Sequence, residues 1–169
     1  ADSLRDKLLS LYQPVGWAVF EKAAAVVAVS TWEKDRLAAD FGIESTVIPN
    51  GIDVDRFRSA TPADTTSPTL LTVGRLVEYK GVQHVIRALT KLPEYQLRVV
   101  GDGPYRDSLE ACACEVGVSD RVEFLGYVPD SELAHQYASA DVFVSMSSVE
   151  AAGITTGEAL AAGTPAIVR

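Results

Sequence analysis

From Thr69 onward, short apolar runs alternate with longer segments whose apolar residues recur every three or four positions. The runs Thr69–Val73, Gln96–Val100, Val122–Leu125, Asp141–Ser145 and Ala166–Val168 predict strands. Between them, Gly81–Leu92, Pro104–Val116, Ser131–Ala138 and a short segment from Gly153 to near Gly163 predict helices. Gly117 closes the second of these, and Asp130 or Ser131 is placed to cap the third. Strands and amphipathic helices alternating at this length imply right-handed βαβ units on one parallel sheet. The expected fold is therefore α/β, a Rossmann-like parallel sheet with helices on both faces. Such sheets bind ligands outside the carboxyl ends of their strands, where Gly74-Arg75, Gly101-Asp102-Gly103, Gly126-Tyr127 and Ser145–Gly153 all fall.

The first part of the chain has a different rhythm. Leu4–Leu11 and Trp17–Ala24 read as helix around Pro14, and Val26–Val29 as a strand. Ser30-Thr-Trp-Glu33 has the form of a capping box, opening a helix that runs to about Phe41 and stops at Gly42. Thr46–Ile48 predicts a short strand that runs into Pro49-Asn50-Gly51, a rigid-then-flexible sequence suited to a hinge. A loop rich in Thr, Ser, Pro and Asp follows over Ser59–Pro68. These features divide the chain into residues 1–48, a hinge and linker over 49–68, and a sheet domain over 69–169.

Composition narrows the function. The 169 residues are 47% hydrophobic, enough for a substantial core, and no apolar run approaches the length of a membrane span. A formal net charge of −8 argues against binding a nucleic-acid backbone, so an anionic ligand must be held by a few specific cations. Cys112 and Cys114 lie two apart in a predicted helix, a spacing that fits neither a zinc site nor a redox motif. They read as reduced residues of a cytoplasmic protein. With two histidines far apart, His84 and His135, no metal site is expected and both read as structural. Starting at Ala1 and stopping at Arg169 inside a predicted strand, the chain is expected to be a fragment of something longer.

Two segments carry candidate chemistry. In Ser148–Pro165 a strand, the turn at Gly153 and a helix N-terminus direct free N–H groups and the positive end of a helix dipole at one spot, suited to phosphate. Glu150 and Glu158 flank that spot at different depths. Alternatively, both are solvated surface charges. In Val73–Gly81, Gly74 ends a strand, Arg75 emerges at the sheet edge and Lys80 precedes the next helix. Arg as a planar fork and Lys as a point charge can clamp a diphosphate and stabilise the charge growing on it as it departs; the plain alternative is a surface pair of Lys80 with Glu78. Val99-Val-Gly-Asp-Gly-Pro104 lacks the third glycine of a dinucleotide fingerprint, having Arg106 in its place. It reads instead as a tight turn at Gly101 that admits a ligand to the backbone. After Gly126, the backbone at Tyr127 and Val128 is placed to read a base edge.

Taken in order, Val-Ile-Pro-Asn-Gly-Ile-Asp53, Val-Gly-Arg-Leu-x-x-x-Lys-Gly81, Val-Gly-Asp-Gly-Pro104, Phe-Leu-Gly-Tyr-Val128 and Glu150-x7-Glu158 resemble the retaining group 1 (family 4) glycosyltransferases. The resemblance runs from about Ala23 to the end. It implies the C-terminal, donor-binding half of a GT-B fold, truncated at its own C-terminus, with residues 1–48 a remnant of the acceptor domain. It further implies a nucleoside diphosphate sugar as donor, retention of configuration and no metal or other cofactor. Arg75 and Lys80 would contact the diphosphate, Glu158 the ribose hydroxyls and Glu150 the donor sugar, while Gly153 and Ile154 offer N–H groups. A sugar or lipid-linked acceptor, and any membrane contact, would belong to the absent half, so the isolated chain is expected to transfer nothing. The family's usual Gly-Phe-Gly after the first glutamate is Ala151-Ala152-Gly153 here, which leaves sugar preference open. Two other readings stay open. One is a related enzyme such as a nucleotide-sugar epimerase or a glycan phosphorylase, the latter marked by a pyridoxal absorbance band. The other is a non-catalytic nucleotide-binding or interaction module, marked by failure to bind any nucleoside diphosphate.

Overall fold

The structure, a computed structural model, describes residues 17–20, 22–63, 65, 67–150 and 152–169. The predicted helix Leu4–Leu11, Pro14 and Ala151 lie outside the described residues. The described chain divides into two compact units, one ending at Asn50 and the other spanning Gly51–Arg169.

In the first unit, β1 (Val27–Ala28) and β2 (Thr46–Val47) pair in parallel across helix α1 (Thr31–Phe41). The Ser30 hydroxyl accepts from the Glu33 N–H at 3.1 Å, and the Glu33 carboxylate reaches back to the Val29 N–H at 2.8 Å. One of the helix's orphan donors is thereby satisfied, and the glutamate ties down the N–H of the residue before the cap, one position beyond its usual partner. Gly42, in the left-handed conformation, ends α1 with its N–H on the Leu37 and Ala38 carbonyls.

The second unit begins with α2 (Val54–Arg58), a five-residue helix within residues 49–68. The Asp53 carboxylate accepts from the Arg56 N–H at 3.1 Å, and the buried Phe57 anchors this short helix on the core. Five parallel strands follow: β3 (Thr69–Val73), β4 (Gln96–Val100), β5 (Val122–Gly126), β6 (Val142–Ser145) and β7 (Ala166–Val168), in the order β5-β4-β3-β6-β7. Alternation along the strands feeds two cores. Leu70, Leu97, Val99 and Val144 pack on one face against α3 (Val82–Ala88) and α4 (Arg106–Glu115). Leu71, Val100 and Phe143 pack on the other against α2, α5 (Asp130–Ala138) and α6 (Ile154–Ala161). Helices thus cover both faces of the sheet.

Several boundaries shift from the sequence reading. The segment Gly81–Leu92 is α3 followed by a 3-10 turn at Leu89–Lys91, with Gly81 in the left-handed conformation at its start. Pro104 precedes α4 by a turn rather than opening it. α5 starts at Asp130 after Pro129 and has no side-chain cap, so neither Asp130 nor Ser131 caps it. Asp141 stands outside β6, where its carboxylate accepts from the Thr69 N–H at 2.7 Å and ties β6 to β3. Cys112 is buried, Cys114 exposed, and both are free thiols.

Candidate functional site

The chain enters the sheet at its centre with β3, moves outward to β4 and β5, then returns to β6 on the other side of β3. This reversal leaves a crevice beyond the carboxyl ends of β3 and β6. One cleft there is lined by Gly74, Arg75 and Lys80 from the loop after β3, Ser145 from the end of β6 and Thr155 from the first turn of α6. The first-turn N–H groups of α6 have no partner within the helix, so Thr155 brings helix-dipole potential to the same place as the two cations. Gly153 starts that helix in the left-handed conformation, with Ile154 its first residue.

Close packing of loops builds this cleft. A side chain at Gly81 would run into the Met146 backbone, so the loop carrying Lys80 lies directly against the chain leaving β6. The Ser148 N–H donates to the Tyr79 carbonyl at 2.9 Å, which fixes the approach. Across it, Lys80 Nζ meets Glu150 Oε2 at 2.7 Å. This is a partly exposed pair worth under about 1 kcal/mol, and Lys80 makes it with Glu150 rather than with Glu78, the surface partner of the plain alternative. The Arg75 side chain is exposed and makes no hydrogen bond or ion pair within the described residues.

A second groove of about 220 Å³ adjoins the first through Val73, Gly74 and Val100. Its further walls are Gly101, Tyr127, Val128 and Asp130. Gly101, at φ 120°, lies against the Gly74 backbone with no room for a side chain. The Asp102 carbonyl accepts from the Leu76 N–H at 2.9 Å, so the loops after β3 and β4 form one rigid rim. Tyr127 is 80% exposed at the mouth of the groove, free to lie against a planar ligand.

Glu158 lines neither cavity and lies one turn beyond Thr155 on α6. The Tyr137 hydroxyl donates to its Oε2 at 2.8 Å. Burial raises the Glu158 carboxyl above its usual range, against lowering by the Tyr137 hydrogen bond and the charge of Arg56; Asp130 adds to the rise. Arg56 in turn donates to the Asp130 carbonyl. Tyr137, raised by burial and by the Glu158 charge, keeps its proton. Sequence reasoning missed Arg56, Asp130 and Tyr137. The N-cap signal at Asp53 was there to locate Arg56, whereas Tyr137 is indistinguishable from a core aromatic until its partner, 21 residues on, is known.

A raised carboxyl gives stability that is present below the unfolded value near 4.5 and is lost as pH climbs through the folded value. The native chain should therefore lose stability over that window. Glu158→Gln, which keeps an acceptor for Tyr137, should flatten the loss in denaturant midpoints measured from mild acid to neutrality. An unchanged pH slope in the variant would rule Glu158 out as its source.

The two histidines serve elsewhere. His135 Nδ1 lies 2.9 Å from the Thr61 carbonyl, and His84 borders an apolar groove beside Met146 and Ile167. Among the described residues no three His, Cys, Asp or Glu side chains converge on a point that could hold a metal, and no helix is long and apolar enough to cross a membrane.

Comparison with known proteins places this arrangement. The family described as "Glycosyl transferases group 1" matches residues 53–169, and that described as "Glycosyltransferase Family 4" matches residues 2–56. The lipopolysaccharide core biosynthesis glycosyltransferase LpsE of Rhizobium meliloti (strain 1021) is 41% identical over 116 residues, covering 69% of this chain and 33% of that protein. The 2-deoxystreptamine glucosyltransferase of Streptomyces kanamyceticus is 31% identical over 190 residues, covering 93% of this chain and 49% of that protein. Among solved structures, sucrose-phosphate synthase of Thermosynechococcus elongatus superposes with a TM-score of 0.83 at 27% identity, over 99% of this chain and 46% of that one. The chain spans half or less of the length of these relatives. Its sheet topology and these matches agree, and the chain belongs to the group 1 glycosyltransferases, with the Rossmann-like architecture of their GT-B fold.

Proposed function

We propose that the Gly51–Arg169 unit binds the nucleoside diphosphate sugar of a retaining glycosyltransferase at the crevice beyond β3 and β6. The observation that carries this is the convergence of Arg75, Lys80 and the first turn of α6 on one cleft. Two cations and a helix N-terminus meet the charge of a diphosphate. The same groups stabilise the extra charge that develops on it as the bond to the sugar breaks, so the residues themselves supply the electrostatic assistance that the reaction needs without a metal.

In this reading the adjoining groove takes the nucleoside. Tyr127 and Val128 face the base, Gly101 and Gly74 let it approach the backbone, and Glu158 accepts from the ribose hydroxyls. Glu150, paired with Lys80, would face the sugar, and Gly153 and Ile154 would offer their N–H groups to sugar or phosphate. The acceptor, a sugar or lipid-linked sugar, would be held outside these residues, and the 169-residue chain would bind the donor without transferring it.

Calorimetric titration with UDP, GDP and ADP tests the reading. One of the three should bind at a single site. Incubation with the matching nucleotide sugar and a panel of sugar acceptors should give no product from this chain; turnover by it would contradict the inactive-fragment reading. A longer form that is active should give product whose anomeric proton coupling matches that of the donor sugar, and inversion would contradict the retaining assignment.

A further inference from the structure

Tyr137 is buried at 0% exposure between two rings, Phe57 edge-on at 5.6 Å and Phe143 tilted at 5.7 Å. Its backbone carbonyl accepts from the Thr164 hydroxyl at 2.6 Å. A side chain held this tightly has one polar atom, and that atom donates to Glu158 Oε2. Burying a hydroxyl is costly unless it finds a partner, and a phenylalanine would fill the same space without the requirement. What the hydroxyl adds to the packing is control over the carboxylate.

We infer that Tyr137 is a positioning residue for nucleoside recognition: its hydroxyl fixes one oxygen of Glu158 and leaves the other for a vicinal diol. This rests on the reading of Glu158 as the ribose-binding carboxylate. A glutamate side chain has several rotatable bonds, and fixing it when a ligand arrives has an entropic cost. A carboxylate already tied to a buried phenol has lost much of that freedom before binding. The donated hydrogen bond also favours the ionised form of Glu158, the form that accepts from two hydroxyls. The charged groups facing this carboxylate are Arg56, which supports ionisation, and Asp130, which opposes it. Burial opposes ionisation most strongly, and the Tyr137 hydrogen bond is first among the influences that counter it.

The test compares the nucleoside diphosphate that this chain binds with its 2′,3′-dideoxy analogue, on native chain and on Tyr137→Phe. The variant should weaken the ribonucleotide about three- to tenfold, as loss of one hydrogen-bonded contact requires, and leave the dideoxy analogue unchanged. In a Glu158→Ala background, Tyr137→Phe should add nothing. The pH below which ribonucleotide affinity falls should rise in Tyr137→Phe, because ionisation of Glu158 loses a supporting donor. A purely structural role predicts equal weakening of both ligands with no shift in the pH profile, and that outcome overturns the proposal. So does an unchanged affinity for the ribonucleotide. If the native chain binds a nucleotide but does not distinguish it from the dideoxy analogue, the ribose reading of Glu158 fails, and the inference with it.

Discussion

Arg75→Ala is expected to weaken nucleoside diphosphate binding roughly 10- to 100-fold, the effect of deleting one charge-assisted contact to a phosphate. The fold should not notice. The Arg75 side chain is exposed and makes no hydrogen bond or ion pair within the described residues, so its removal leaves no buried group without a partner. Circular dichroism and denaturant midpoint should stay at native values while the calorimetric affinity falls. Lys80→Ala should do less, since Lys80 starts from an ion pair with Glu150 that the ligand must displace. Arg75→Lys should recover only part of the loss, because an ammonium cannot reproduce the two parallel donors of a guanidinium. Equal affinity in the native chain and Arg75→Ala would remove Arg75 from the site.

Gly101→Ala should be among the most damaging single substitutions in the sheet domain. The backbone there has φ 120°, and a Cβ would collide with the Gly74 backbone at the end of the neighbouring strand. Strain at such a dihedral and overpacking against backbone each cost about 1–3 kcal/mol, so the sum is about 2–6 kcal/mol. The comparison position is Gly117, also at positive φ (71°) but in open space, where only the strain should register. Urea denaturation of the two alanine variants should therefore show the larger loss at Gly101, where the collision adds to a dihedral outside the left-handed helical region. Because Gly101 and Gly74 border the same groove, surviving Gly101→Ala protein should also bind nucleotide poorly. Equal stability losses at the two positions would mean that the strand ends do not pack as closely as described.

The sheet was legible in the sequence because its central strands are largely buried. Residues such as Leu70, Leu71, Val99 and Val100 are all apolar, and their two runs end at Gly74 and Gly101. Helix starts were less legible, since a cap depends on local dihedral angles. Asp130 has the residue type of a cap, yet the chain turns into helix at Asp130 itself, behind Pro129. α2 is only five residues long, too short for a helical period to show, and its stability comes from Phe57 reaching a core built by distant segments.

The site divides in the same way. Gly74, Arg75 and Lys80 reach one cleft because a strand end and its loop fix them locally. Gly101, Tyr127 and Val128 reach the adjoining groove because parallel strands align their carboxyl ends. Pairings that join distant segments were not legible. Lys80 meets Glu150, 70 residues away, rather than the nearby Glu78, because Gly81 lets its loop close on Met146. Tyr137 reads as core from its spacing on α5, and nothing in the sequence marks its hydroxyl as the partner of Glu158.

The most direct test of a donor site beyond β3 and β6 is to map amide chemical-shift changes in isotope-labelled chain on addition of UDP, GDP and ADP. The account predicts that one nucleotide shifts the amides of Gly74, Arg75, Gly101, Tyr127, Val128, Gly153 and Ile154, while those bordering the apolar groove at His84 and Met146 stay still. Shifts centred on that groove, or none from any of the three nucleotides at millimolar concentration, would contradict it.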